Sequence, residues 1–117
     1  MFWTVSQVAL GGAIGSVLRY LTVAALGAPW AVALVNVAGS LAMGALFVVL
    51  AGRGHLSPFL MTGVLGGFTT FSAFSLDALK LWQAGQAAQA ALYVGGSVTL
   101  SLLAVALGAA LAKGALG

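Results

Sequence analysis

Two long uncharged runs constrain this chain more than anything else in it. Thirty-three residues separate Arg19 from Arg53, and 32 separate Lys80 from Lys113, without one acidic or basic side chain. Each run exceeds the roughly 20 residues that carry an α-helix across a hydrocarbon core, so each holds a complete membrane span. The rest of the composition agrees: 62% of the 117 residues are hydrophobic, and only four basic and one acidic side chain occur. A soluble domain of this size leaves too much of its area in water to hide so much apolar surface. The solvent is lipid, where backbone amides and carbonyls must be satisfied inside the segment itself, and the expected fold is all-α.

Four spans fit. The first covers about residues 4–26 and stops at Gly27-Ala28-Pro29; the second covers about 30–51 and is closed by Gly52-Arg53-Gly54. The third, about 57–82, opens on Ser57-Pro58, which reads as an N-cap followed by a first-turn proline. The fourth covers about 86–112. Connections of a few residues predict that sequence neighbours pack antiparallel, in a single domain over residues 1–117 with no internal repeat. The first apolar stretch lacks a basic leading region, so it is expected to remain in the chain rather than act as a cleaved signal. Small residues four apart, Gly11 with Gly15, Gly12 with Ser16 and Ser40 with Gly44, make flat faces for close helix contact. With no cysteine there is neither a disulfide framework nor a thiolate metal site. The four basic residues are scattered, which excludes the clustered footprint of a nucleic-acid binder.

The third span contains the stretch Gly63-Val-Leu-Gly-Gly-Phe-Thr-Thr-Phe-Ser-Ala-Phe74, which reads poorly as one continuous helix. Paired glycines followed by paired threonines lower helix propensity where lipid least tolerates exposed backbone. An interruption is tolerated only where protein or a polar cavity covers it, so Gly66-Gly67-Phe68-Thr69-Thr70 is a candidate ion or substrate site. Around it lie the polar groups that an apolar chain must justify. Asn36, in mid-span, either orients an anion with its amide hydrogens or ties two helices together. Thr69, Thr70, Ser72 and Ser75 add hydroxyls on the third span. Tyr93, Ser97 and Ser101 form a stripe on the fourth, facing a pore or a partner helix, although serines can also bond back to their own carbonyls. Phe68, Phe71 and Phe74 are ordinarily packing residues at this spacing. Beside hydroxyls and broken backbone, their positive ring edges can also stabilise a small anion without a fixed charge that would trap it.

Among the ionisable groups, Asp77 and Lys80 read as an interfacial pair, Arg19 as a residue that snorkels or draws anions toward a vestibule, and His55 as an inert loop residue. No nucleophile and base pair, transition-metal cluster or phosphate loop is present, so an enzyme is not expected.

Three segments resemble, in order, the signatures of the CrcB/Fluc fluoride channels: Gly11-Gly-Ala-Ile-Gly-Ser-Val-Leu-Arg-Tyr20, Val35-Asn-Val-Ala-Gly-Ser40 and Gly66-Gly-Phe-Thr-Thr-Phe-Ser-Ala-Phe74. The resemblance covers essentially the whole chain. It implies four transmembrane helices with a broken third, in an antiparallel, dual-topology homodimer of a prokaryotic-type inner membrane. It further implies two fluoride pathways and a central structural sodium ion, with no organic cofactor. On this resemblance Asn36, Phe71, Phe74, Tyr93 and Ser97 would line the anion path, with Arg19 near a vestibule; Ser72, a hydroxyl of the third span, is a further candidate for the fluoride path. Gly66 and Thr69 would offer backbone carbonyls to sodium. Val32 and Ala73 stand where such channels often carry threonine, which leaves the number of hydroxyls along the path open. Asn36→Ala and Phe71→Ile are expected to leave a folded dimer and remove most flux.

Two other readings compete. A small proton-coupled exporter would need an intramembrane carboxylate, and the only acid, Asp77, reads as lying near a span end. A non-transporting assembly subunit would use Asn36 and the glycines for packing alone. Charge counting places Arg53 and Lys113 on one side against Lys80 and a snorkelling Arg19 on the other. That balance predicts insertion in both directions.

Overall fold

The computed structural model describes all 117 residues. Helix α1 spans Phe2–Leu26 and α2 spans Trp30–Val49. Helix α3 begins as the π-helical segment Pro58–Leu65 and continues through Gly66–Phe68. Helix α4 is Phe71–Gln83, and α5, of 30 residues, is Ala87–Leu116. Four helical stretches are long and apolar enough to cross a membrane, with α3 and α4 together forming the third. At 1.5 Å per residue α5 reaches about 45 Å, close to the 48 Å long axis of the molecule.

Two details of the ends differ from the sequence reading. The second helix stops at Val49 and the last continues to Leu116. Ser57 does not cap α3: its backbone is helical and its hydroxyl points to the Met61 sulfur, 3.5 Å away. A π-helical start shifts the first amides away from the position a capping serine would need.

The pairing of spans also differs from the expected antiparallel neighbours. The closest packing is between α1 and α3 and between α2 and α5, which run parallel, while helices joined by short loops touch less. Glycine decides this. A Cβ at Gly15 would stand 2.0 Å from Val64 O, and one at Gly44 would stand 2.0 Å from Val105 O. Gly108 answers from the other side, its added Cβ falling 2.0 Å from Leu41 O. Backbone meets backbone at these points, so no side-chain motion could accommodate even alanine, and the helices approach as close-packed small-residue faces do in lipid. Gly67, which the sequence suggested as part of the interruption, is helical and packs against Gly12.

A small core joins the two halves. Val32, Phe74 and Tyr93 are mutually packed and buried, placing α2, α4 and α5 around one aromatic contact. Outside it, large apolar side chains such as Leu10, Phe47 and Leu103 face outward, as lipid solvation allows.

Candidate functional site

Within the third span the extended backbone falls on two residues. Thr69 (φ −87°, ψ 155°) and Thr70 (φ −153°, ψ 124°) separate the helical Gly66–Phe68 from α4, whereas Gly66 itself is helical. Each amide and carbonyl here needs a partner that a continuous helix would have supplied.

Asn36 on α2 supplies two of them. Its Oδ1 accepts from the Thr70 amide at 2.8 Å and its Nδ2 donates to the Thr70 carbonyl at 2.9 Å. The side chain thus mimics a strand partner for one residue and keeps one amide hydrogen in reserve. Thr70 in turn starts α4, its Oγ1 accepting from the Ala73 amide at 3.1 Å, as an N-cap hydroxyl does. Thr69 turns its own hydroxyl back to Leu65 O at 3.0 Å. Arg19 reaches across from α1 and donates from Nη1 to Thr69 O at 3.4 Å. It therefore turns inward to the interruption instead of snorkelling outward. The Thr70 amide, committed to Asn36, is withdrawn from Gly66 O, the carbonyl it would meet in a continued helix.

Beside this clamp lies an open cavity of about 330 Å³ whose walls include Asn36, Thr69, Thr70, Phe71, Phe74 and Ser97. Ser101 continues the wall one turn further along α5. Ser6, Thr22 and Ser75 give their hydroxyls to the carbonyl four residues back, but Ser97 and Ser101 make no such bond and face the cavity. No charged side chain lines it.

From the cavity a row of rings leads into the protein. Phe71 and Phe74 have centroids 5.3 Å apart, Phe74 and Tyr93 5.2 Å, and Tyr93 meets Trp30 edge-on at 5.5 Å. Exposure falls along the row, from 75% at Phe71 to 5% at Phe74 and 0% at Tyr93. Val32 packs against Phe74 and Tyr93, so its side chain serves the core and adds no hydroxyl to the cavity.

At the inner end the sequence reading needs correction. Asp77 makes no ion pair with Lys80; it is buried, because Phe74 and Asp77 are three apart and share the α4 face turned to α5. Its carboxyl lies near the Tyr93 hydroxyl. The geometry falls short of a hydrogen bond, and both Asp77 Oδ2 and Tyr93 Oη are without a partner in the chain. Two unpartnered polar atoms at the end of a ring row make Asp77 part of the site, a membership its i+3 spacing from Phe74 could have signalled. Ser72 stands outside the cavity wall, exposed, its hydroxyl 3.2 Å from that of Thr70. Tyr93 and Arg19 border the site through Phe74 and Thr69 rather than the cavity itself. No group of histidine, cysteine or carboxylate side chains suited to a metal occurs.

The family model described as CrcB-like protein, Camphor Resistance (CrcB), matches residues 6–109. The chain belongs to the CrcB family. Its relatives include a protein of Ruegeria sp. (strain TM1040), 54% identical, with 99% of each chain covered. One from Paracoccus denitrificans (strain Pd 1222) is also 54% identical, with 95% of each chain covered. A third, from Rhizobium etli (strain CIAT 652), is 46% identical over 91% of this chain and 93% of its own. All three carry the name fluoride-specific ion channel FluC. The CrcB family is one of ion channels, and the chain is not an enzyme.

Proposed function

We propose that this chain forms a fluoride-selective channel that releases fluoride from the cytoplasm, as a dual-topology antiparallel homodimer with two anion pathways. The observation that carries this reading is a cavity with donors and no fixed charge, from which Phe71 and Phe74 lead inward. Fluoride is small and strongly hydrated, so its path must replace water with hydrogen-bond donors and ring edges that hold it weakly enough to leave. The free Asn36 amide hydrogen, the Ser97 and Ser101 hydroxyls and the edges of Phe71 and Phe74 are such groups. Tyr93 and Asp77 would stand at the inner end of the ring row. The FluC names of the relatives support fluoride as the ion.

A second copy would close the open side. Phe71, Leu102 and Val98 stand exposed beside the cavity mouth at 75%, 64% and 42%, and a ring half outside its own chain finds its remaining wall in a neighbour. The donor set also suits a structural sodium ion between the copies. Gly66 O has lost its helical donor and Thr69 O is held only by Arg19, and hard monovalent cations take such carbonyl oxygens. When bound, the ion would tie two chains together through neutral oxygens.

Fluoride efflux from liposomes reconstituted with the pure protein tests the function. Rapid efflux that requires valinomycin to carry compensating potassium is expected of a channel. Absence of efflux would turn the reading toward an assembly subunit. The buried Asp77 is the one observation a proton-coupled exporter would share; efflux driven by a pH gradient without valinomycin would favour that class instead.

Orientation gives a separate expectation. Arg53 and Lys113 lie at one end and Lys80 at the other, with Arg19 turned inward, so the ends differ by a single positive charge and insertion has little charge bias. A cysteine placed at Gly117 should be labelled by an impermeant reagent in about half of the molecules of intact cells. Labelling of all or none would contradict dual topology.

A further inference from the structure

We propose that Arg19 holds down the cation affinity of the carbonyl cluster at the interruption of the third span. This deepens the reading of Gly66 and Thr69 as sodium ligands and rests on it. Arg19 Nη1 donates to Thr69 O at 3.4 Å from a half-buried position on α1. The guanidinium has no carboxylate partner: the only acid of the chain, Asp77, lies beside Tyr93 and forms no ion pair. Its partner is therefore the negative, carbonyl end of the α3 helix, exposed because the Thr70 amide has been given to Asn36.

A guanidinium keeps its charge at any working pH. Any monovalent cation that takes Thr69 O shares that oxygen with this resident charge. The two cannot approach a common carbonyl without repulsion that a partly buried site screens poorly. Arg19 thus stabilises the interruption when no cation is present and opposes one that binds. Removing the charge should tighten binding, and keeping it on a lysine should not.

The test is thermal unfolding of the purified full-length protein over a series of sodium concentrations, with choline holding ionic strength constant. Wild type is compared with Arg19→Gln, Arg19→Met and Arg19→Lys. Both neutral variants should reach half of their sodium-dependent stabilisation at a concentration at least about tenfold lower than wild type, the size expected for two unit charges about 5 Å apart in a partly screened site. Arg19→Lys should remain within about threefold of wild type, because a lysine keeps the positive charge. A merely structural arginine would lower stability in every salt and leave the sodium midpoint in place. Neutral variants with an unchanged or higher midpoint would overturn the proposal. So would failure of both to fold in high sodium, since a charge that opposes the ion is dispensable once the ion is bound. If wild type melts identically in sodium and choline, the cation reading itself falls, taking this proposal with it and leaving the efflux result to stand alone.

Discussion

Asn36→Ala is expected to abolish fluoride efflux and to lower the stability of the protein by about 1–3 kcal/mol, the cost of leaving two part-buried backbone groups without their partner. The Thr70 amide and carbonyl are both bound by this one side chain, at 2.8 and 2.9 Å. Alanine offers neither a donor nor an acceptor in its place. The sequence suggested that the variant would stay folded and lose only a pore donor; the clamp makes it a loss of structure as well. Asn36→Asp keeps the acceptor but sets an oxygen against Thr70 O, so it should be no better than alanine. Unfolding curves beside liposome efflux measure both effects. A variant that melts like wild type would show that Thr70 is held by something other than Asn36, and unchanged efflux would remove the amide from the path.

Phe71→Ile should behave in the opposite way, with efflux reduced by up to about tenfold and the fold of the single chain nearly unaffected. Phe71 is 75% exposed in the single chain, its ring tilted against Phe74 at 5.3 Å between centroids, so isoleucine removes little packing within the chain and still fills part of the wall a second copy would complete. Ring contacts between aromatic pairs are worth about 0.5–1.5 kcal/mol, and a contribution of the same order to a passing anion would change a rate about two- to tenfold, since about 1.4 kcal/mol is tenfold. Phe74→Ile serves as the contrast, because Phe74 is buried between Val32 and Tyr93 and its loss should cost core stability first. Efflux from Phe71→Ile liposomes at the wild-type rate would remove this ring from the anion path.

Much of this was legible before any coordinates. The runs between Arg19 and Arg53 and between Lys80 and Lys113 are too long and too apolar for anything but spans, and the four spanning helices are there. The Gly11 and Gly15 face is buried as a small-residue pair should be. The segments around Gly11, Asn36 and Gly66 carried the family, because its motifs are contiguous in sequence. What was misread depended on direction in three dimensions. Asp77 beside Lys80 looks like a surface pair when only their spacing is known, yet the rotation of α4 turns Asp77 inward to Tyr93 and leaves Lys80 outside. The glycines looked like the interruption because they are poor helix formers, but propensity is a weak prior when Gly67 packs on Gly12.

The sequence by itself determined the solvent, the number of spans and the place along the chain where chemistry is concentrated, since hydrophobic length and local composition are one-dimensional quantities. Only the tertiary structure decided which spans pair, which two residues are extended and what holds them. Those outcomes depend on approach distances between segments far apart in sequence. Gly44 meets Val105 and Gly108 meets Leu41 because backbone can touch backbone there. Asn36 meets Thr70, 34 residues away, because an amide side chain offers one donor and one acceptor at the spacing of a peptide unit.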